Sequence, residues 1–548
     1  MLKIVRSQFN KLQQVLPGKP IYEINPTVNE SPPQTIQDST LVSRNLVLES
    51  QLLKLKDLIN KLQAITTISW TLEWDSSVAM PQLAFEDRAW QIAYLAKLSH
   101  EILTSPEMAN VLKYFEETNC TMLPRYEQAL LHEMRSQYNR GKNVPSLLLE
   151  ELAFTSVKAQ DVWLKAYKAD DFSILVPELE KIVSIKRKIA EHIGYKGSPY
   201  NALLEAYEPG MTTEKLDSLF GELKQELIPA LRKITSSSHK IDATFLNKFY
   251  KVDEQLELSK DLLKHIKFDL SRGRIDQGDN SFSMGILPND VRLVIYIFEK
   301  NISYTIANTL HEGGHGLYDQ GFNPDLSKSS LFDASSLGMH ESQSRLYETI
   351  IGQGLPFWEF YFPKLKERFP EQLKEVSLDQ FYKAINKVQT TYIWSEADEV
   401  AYNIHIIILY EIEKSLIEGK LSVHDVPDFW SNKIQEYFGT APPDKACGVF
   451  CSHWSSGDFG YLPTYALGNQ YAAQIYNTMK KEIPELEKQI ASGNMDILNN
   501  WLREKIYTYG KTENPIDLIL RVTGELPNVK HSLNYIKDKY SKLYKIDL

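Results

Sequence analysis

The feature that most constrains this chain is the pentapeptide His311-Glu312-Gly313-Gly314-His315, which lies inside residues 301–321. Apolar residues recur at helical spacing through this segment, and Gly321 suits a helix C-terminus, so the sequence predicts a helix. The apolar positions are Ile302, Ile306, Leu310 and Leu317.

On such a helix His311 and His315 share one face at i and i+4, where two imidazoles can bind one Zn²⁺. Glu312 then lies beside the open coordination position, an arrangement typical of zinc hydrolases. A chance H-E-x-x-H is roughly a few-per-cent event in a chain of this length, so the motif alone does not decide.

The adjacent glycines Gly313 and Gly314 oppose a helix mildly, since each costs about 1 kcal/mol relative to Ala. Their presence beside candidate metal ligands predicts that substrate or another helix approaches the backbone closely.

A third ligand is needed for a zinc site with an open fourth position. Glu341, in a predicted helix that begins near Gly338, is the best candidate, and its neighbour His340 is the rival. Spacing alone does not choose between a ligand and an ordinary surface carboxylate at Glu341.

Composition bounds the remaining possibilities. The 548 residues, 43% of them hydrophobic, predict two lobes or one large unit with several cores. A net charge of −10 without a clustered basic face disfavours nucleic-acid binding. A chain of this length with only three cysteines is typical of a reducing compartment. The sequence contains no apolar run of about 18 residues, the length that would predict a membrane span. We therefore expect a cytoplasmic protein with no membrane partner.

Residues 1–45 are rich in Pro and polar residues and predict a poorly ordered N-terminal extension, followed by a helical domain over 46–548. The fold class expected is all-α, with helices at 88–103, 126–139, 147–169, 176–193 and 213–234.

One short region departs from the helical pattern. Residues 281–286 and 291–298 are rich in β-branched and aromatic residues around Pro288-Asn289, and predict a small β-hairpin next to the zinc helix. An exposed edge strand there could pair with a substrate backbone, or the hairpin could simply fill the core; the sequence supports both equally.

Two further stretches carry polar candidates. The carboxylates at residues 396–399 suit either partners for the zinc histidines or an acidic first turn of a helix that runs to Lys414, and the second is the more ordinary role. Cys447, Cys451 and His453 imitate a metal site, but free cysteines more often pack in a core. In the Gly- and aromatic-rich loop that follows, His453, Tyr461 and Tyr465 are candidates to donate hydrogen bonds to an oxyanion.

With these residues in view, the chain resembles the carboxypeptidase Taq family of zinc metallocarboxypeptidases over nearly all of its length after residue 45. The resemblance rests on motifs that together are far more specific than H-E-x-x-H. They are SWTLEWDSSVAMP (69–81), YNALLEAYEPGM (200–211), NDVRLV (289–294), HEGGHGLYDQG (311–321), HESQSRLYE (340–348), EADEVAYNIHIIILYEIE (396–413), HWSSGDFGYLPTYALGN (453–469) and RVTGELPN (521–528).

The resemblance implies a groove-bearing, zincin-like helical fold, usually a homodimer, that removes C-terminal residues from peptides. It implies His311, His315 and Glu341 as ligands of one zinc ion per chain, for which Co²⁺ can substitute, and Glu312 as general base.

Several family motifs are altered here. Asn280 stands for the His of H-P-F, Val294 for the Thr of D-x-R-x-T and Trp394 for the Arg of I-R-x-x-A-D. Cys447, Phe450 and Cys451 stand for the Gly, Gln and Asp of G-x-x-Q-D-x-H-W.

The Arg that Trp394 replaces is thought in such enzymes to receive the substrate carboxylate, and an indole cannot replace a charged fork. Either Arg292 or Arg345 takes over that carboxylate, or Trp394 contacts a modified or capped peptide. The hypotheses are therefore a zinc metallocarboxypeptidase, a zinc amidohydrolase or peptidase of altered specificity, and an inactive helical binding protein. The intact HEGGH and Glu341 count against the third.

Overall fold

The computed structural model describes residues 38–118, 120–443 and 448–548. Two compact units are divided between Leu52 and Leu53, and every residue of the candidate site belongs to the second. Most of the expected extension, residues 1–37, lies outside the described residues, so that expectation stays a prediction.

The described chain is mainly helical, which confirms the predicted fold class. Its longer helices before the sheet are Asp38–Val78, Phe85–Leu103, Pro106–Glu117, Arg125–Gly141, Ser146–Ala169, Val176–Ile193, Thr213–Thr235 and Val252–His265. Those after it are Ile302–Gly321, Leu337–Arg345, Leu355–Arg368, Leu378–Ile385, Glu399–Ile417, Val426–Phe438, Pro463–Glu482, Asp496–Lys505, Pro515–Thr523 and Lys530–Tyr544. Short helices cover Tyr200–Leu204, Pro370–Leu373, Ser452–Ser456 and Leu486–Ala491.

The five helices expected before residue 235 are all present, with ends displaced by three residues at most. Apolar periodicity located them because each buries one face; Val176–Ile193, for example, buries Leu179, Ile182 and Ile189.

The predicted hairpin is present, but it belongs to a three-stranded sheet. Strands β2 (Phe282–Leu287) and β3 (Asp290–Ile295) are antiparallel, and β1 (Gly273–Gln277) pairs with β3 in parallel, so that β3 is central. Strand β1 escaped prediction because its sequence GRIDQ holds one apolar side chain. The edges of the sheet are β1 and β2, and substrate pairing at either edge stays a prediction.

The helix Ile302–Gly321, called the metal helix below, begins where the Asn301 side chain accepts a hydrogen bond from the Tyr304 backbone N–H. Its apolar face is buried, with Ile302 and Leu310 fully inaccessible to solvent. Burial of each such side chain stabilises the fold by about 1.5–3 kcal/mol, which outweighs the cost of the two internal glycines.

Another helix does approach the glycine pair. A Cβ atom built on Gly314 would lie 2.5 Å from the Gln343 carbonyl oxygen and 2.8 Å from Ser344 Cα, both backbone atoms of Leu337–Arg345. The two helices therefore cross with their backbones in contact, which fixes the position of Glu341 relative to the two histidines.

Among the described residues, no helix is long and apolar enough to cross a membrane.

Candidate metal centre

Three predicted ligands converge in the structure. The Glu341 Oε2 atom lies 3.7 Å from His311 Nε2 and 3.5 Å from His315 Nε2. Ligand atoms of the three residues all lie within 4.8 Å of one another. Two ligands of a tetrahedral zinc ion at ~2.1 Å would be ~3.4 Å apart, so this spacing suits a zinc-sized cation.

The electrostatics of the group also suit a cation. Glu312 and Glu341 are buried, and Glu312 Oε2 and Glu341 Oε1 have no hydrogen-bond partner among the described residues. Burial raises the pKa of Glu312 to about 7. Burial would lower the pKa of His311, but the carboxylates of Glu341 and Glu348 outweigh it and raise that pKa to about 9. Negative charge is thus concentrated where a metal would relieve it.

His311 is oriented by a carboxylate that the sequence did not single out. Glu348 Oε2 lies 2.7 Å from His311 Nδ1 and 2.8 Å from Arg345 Nη1. Arg345 also donates to Asn469 Oδ1 and lies over the Tyr402 ring. This buried chain fixes which imidazole nitrogen faces Glu341.

Glu348 lies in a π-helical stretch, Leu346–Ile351, which directly continues the helix that carries Glu341. Its position seven residues after Glu341, two helical turns on, was the one available signal. The carboxylates at 396–399 have other partners: Asp398 accepts hydrogen bonds from the Val400 and Ala401 N–H groups, and Glu399 contacts Lys539. The more ordinary of the two roles considered for them matches these contacts.

His340 faces away from this group. Its Nε2 lies 3.0 Å from Asp319 Oδ1, and its ring stacks on His315 at 4.3 Å between centroids. The rival ligand His340 thus stacks on His315 and has its hydrogen-bond partner in Asp319.

The Glu341 helix is held on two further sides. A Cβ atom on Gly468 would lie 2.5 Å from Glu341 Cγ, so Pro463–Glu482 packs directly behind the ligand. At its N-terminus, Glu208 accepts hydrogen bonds from the Gly338 N–H and the Tyr471 hydroxyl. Burial raises the pKa of Glu208 to about 7.

Aromatic side chains predicted for the site cluster together. Tyr465 Oη lies 3.1 Å from His453 Nε2, and the His453 ring stacks on Tyr461 at 4.9 Å. Burial, with the charges of Glu341 and Glu312, keeps the pKa of the Tyr461 hydroxyl far above its ordinary value.

The elements that carry this cluster differ from the predicted loop. His453 lies on Ser452–Ser456 and Tyr465 in the first turn of Pro463–Glu482, and only Tyr461 is in a connecting segment. Buried Glu413 accepts hydrogen bonds from the Trp454 indole and the Gly460 N–H, and so fixes the segment between these two helices. The loop prediction was wrong for Tyr465 because glycine and proline frequency hid a helix start at Pro463.

Trp394 joins the same cluster. Its ring centroid lies 5.5 Å from that of Tyr465 and 6.1 Å from that of His453. Arg292, by contrast, forms a two-pronged pair with Asp290 and lies over Trp74. Both arginines considered as carboxylate acceptors, Arg292 and Arg345, thus have carboxylate partners already.

The cysteine alternative finds no support among the described residues. Cys451 is a fully buried free thiol, and Cys447 lies outside the described residues. The other altered positions differ in their surroundings: Asn280 is exposed, Val294 is buried in β3, and Phe450 packs on Tyr167 and Phe172.

Comparisons with known proteins show which family the chain resembles along its length. The sequence model of the carboxypeptidase Taq (M32) metallopeptidase family matches residues 54–540. Carboxypeptidase 1 of Bacillus subtilis is 36% identical over 489 residues, which are 89% of this chain and 97% of that protein. Thermostable carboxypeptidase 1 of Thermus thermophilus is 38% identical over 482 residues, 86% of this chain and 94% of that protein. The crystal structure of the M32 carboxypeptidase from Deinococcus radiodurans superposes with a TM-score of 0.86 at 30% identity, and covers 91% of this chain and all of that one.

Proposed function

The chain belongs to the carboxypeptidase Taq (M32) family of metallopeptidases, which hydrolyse peptide bonds, and we propose that it removes C-terminal residues from peptides with the help of one zinc ion. The observation that carries this proposal is the convergence of His311, His315 and Glu341 beside the buried carboxylate of Glu312.

His311, His315 and Glu341 would hold the ion, and Co²⁺ would fit the same donor set. When bound, zinc polarises the scissile carbonyl and lowers the pKa of a water molecule. Glu348 keeps His311 Nε2 free for this role by bonding Nδ1, and Arg345 holds Glu348 in place.

Glu312 acts as general base in this proposal. Its unpartnered Oε2 accepts the proton of the attacking water and later passes it to the nitrogen of the leaving amine. A pKa of about 7, raised by burial, allows the carboxyl to take and release a proton near neutral pH.

His453 and Tyr465 are proposed to donate hydrogen bonds to the oxyanion, with Tyr461 as the less favoured donor. Burial keeps the pKa of both tyrosines far above neutrality, so that their hydroxyls retain the proton they would donate. Trp394, which contacts Tyr465 and His453, is proposed as an aromatic wall for the substrate.

The substitution Glu312→Gln tests this proposal. It should leave zinc binding intact, because no ligand changes, and should lower turnover by roughly 10²- to 10⁴-fold, since the proton acceptor is lost. The assay is mass spectrometry of a mixed peptide library digested with zinc- or cobalt-loaded protein, in which wild type should produce ladders from C-termini. Glu359→Gln, an exposed carboxylate on another helix, is the control. Near wild-type turnover in the Glu312 variant would end the assignment.

A second candidate function is hydrolysis of capped or modified peptides, favoured by Trp394 in the place of the family's Arg. Internal or capped-substrate cuts in the same digest, without C-terminal ladders, would support this candidate. No cleavage at all would favour a binding protein, although the intact ligand set argues against that outcome.

We also propose that the protein is a homodimer, as the family resemblance implies. The packed helices Phe85–Leu103 and Ser146–Ala169 leave large apolar side chains exposed, among them Trp90 at 70% and Phe154 at 77%. Such a surface is typical of an interface. Light scattering should give twice the chain mass for wild type and for Phe249→Lys, an exposed control elsewhere, and one chain mass for the Trp90→Glu, Phe154→Lys double variant. A dimeric double variant would place the interface elsewhere.

A cytoplasmic location is proposed from the three cysteines, of which Cys120 and Cys451 are free thiols.

A further inference from the structure

A terminal carboxylate is bound most strongly by a cationic side chain, and this chain has Trp394 at the position where the family motif I-R-x-x-A-D, which the sequence resembles, has Arg. The forks of Arg292 and Arg345 already face Asp290 and Glu348. Moving either fork to a substrate would leave its partner carboxylate unpaired, which is unfavourable above all for the buried Arg345 and its largely covered partner Glu348.

A cavity of about 410 Å³ lies next to the metal centre and offers another cation. Tyr304 and Asn308, at i and i+4 on the metal helix, line it, and His311 follows at i+7 on the same face. Glu348, which contacts His311 Nδ1, lines it too. The volume is within the range of small-ligand pockets.

The segment that follows Trp394 also lines the cavity. Ser395, Glu396 and Asp398 line it directly after this residue, whose ring contacts Tyr465 and His453. The metal helix and the segment next to the altered family motif thus both contribute to the cavity wall. A peptide whose scissile bond lies at the metal could place its last residue here.

Lys387 is the one Lys or Arg among the described residues that line this cavity. It is half-buried and forms no side-chain hydrogen bond or close ion pair with the residues that the structure describes, although Asp242, which also lines the cavity, attracts its charge. A half-buried ammonium in a cavity that Glu348 also lines is well suited to bind an anionic group of a ligand.

The carboxylates that share the cavity leave this ammonium available. Glu348 pairs with Arg345, and Asp398 accepts three backbone hydrogen bonds, from Gln389, Val400 and Ala401. Asp242 and Glu396 are exposed at the rim, where water screens their charge.

We propose that this cavity binds the C-terminal residue of the substrate and that the Lys387 ammonium binds its carboxylate. This inference rests on the proposed peptidase function and names a residue that supplies the missing charge.

The test compares a peptide that ends in a free carboxylate with the same peptide ending in an amide. For Lys387→Met, kcat/KM on the free acid should fall roughly 10- to 100-fold through KM, since one charge-assisted hydrogen bond is lost. The amide should react as it does with wild type, and Lys387→Arg should recover most of the loss. Lys374→Met, an exposed unpaired lysine outside the cavity, is the control.

A second measurement keeps the outcomes distinct. Binding of both peptides, carrying a fluorophore, to zinc-loaded wild type and Lys387→Met is measured alongside turnover. If wild type prefers the acid and Lys387→Met keeps that preference, Lys387 is not the acceptor while the peptidase function stands. If wild type binds acid and amide equally, the inference is overturned whether or not peptides are cleaved. If the acid binds preferentially through Lys387 but no peptide is cleaved, the pocket stands and the proposed reaction fails.

Discussion

The substitution Gly314→Ala adds one methyl group between the metal helix and the helix that carries Glu341. Its Cβ would lie 2.5 Å from the Gln343 carbonyl oxygen and 2.8 Å from Ser344 Cα. Both neighbours are backbone atoms, so no side-chain rotation relieves the contact. Restoring an ordinary separation of 3.4 Å from the oxygen requires the helices to part by roughly 0.9 Å.

That displacement sets the magnitude. Overpacking costs about 1–3 kcal/mol, while alanine regains about 1 kcal/mol of helix propensity, so a net loss of up to about 2 kcal/mol is expected. The larger effect is on metal affinity. Metal–ligand distances tolerate changes of about 0.2 Å, and the shift between Glu341 and the two histidines is several times larger. Zinc affinity should fall at least tenfold.

Gly221 provides a matched control, because it lies inside the helix Thr213–Thr235 with no atom within 4 Å of an added Cβ. Gly221→Ala should stabilise the protein by about 0.5–1 kcal/mol and leave zinc binding unchanged. The assays are denaturant unfolding of the metal-free variants and zinc competition with a chromophoric chelator. Equal stabilities and equal zinc affinities in the two variants would refute the argument that backbone contact at Gly314 sets the ligand geometry.

Two further predictions address buried carboxylates. Glu348→Gln should weaken zinc binding roughly 10- to 100-fold, since His311 and Arg345 both lose a charged partner; unchanged affinity in the chelator competition would mean that Glu348 does not orient His311. Glu208→Gln tests a pH dependence. Because burial raises the folded-state pKa of Glu208 from 4.5 to about 7, the folded protein holds this proton more tightly than the unfolded chain. The resulting stability is present in full below pH ~4.5 and is lost as the pH rises through about 7, a change on the order of 3 kcal/mol. The variant has no such proton, so between pH 4.5 and 8 the unfolding free energy of wild type should fall by that amount relative to the unfolding free energy of the variant. If urea unfolding gives the same difference between the two proteins at every pH, the assigned pKa is contradicted.

The sequence could place His311 and His315 together because their spacing is a local property, whereas Glu341 was assigned to them only through the family resemblance. His311 and His315 share a face on any helix, and Asn301 and Ile302 mark where that helix begins. The long helices were predictable for the same reason, since each buries a periodic apolar face. The glycine pair was informative in a different way. It indicated that substrate or another helix approaches the backbone of the metal helix, but it did not identify which.

The missed features depend on distant parts of the chain. Glu348 contacts His311 because the two helices cross at Gly314. The turn that carries Glu348 is π-helical, so its side chains project in directions that differ from those of a regular α-helix. Strand β1 has little β signal of its own and is ordered by pairing with the buried strand β3. Lys387 and Asn308 are 79 positions apart in the sequence, and only the folded chain brings them to one cavity.

The residues proposed to bind the metal and the residues expected to select the substrate lie on different kinds of structural element. The three ligand residues lie on two helices whose backbones touch, and Gly468 of a third helix packs behind Glu341, so a change of ligand geometry would have to move several packed helices together. Asn280, Trp394 and Phe450, which depart from the family pattern, lie in connecting segments or a short turn. Because such segments tolerate substitution without moving the helices, the pocket can diverge while the metal group stays intact. His311, His315 and Glu341 are present together, while Trp394 stands in place of the Arg of the family motif; this is the combination expected if the proposed reaction is kept and recognition of the peptide end is changed.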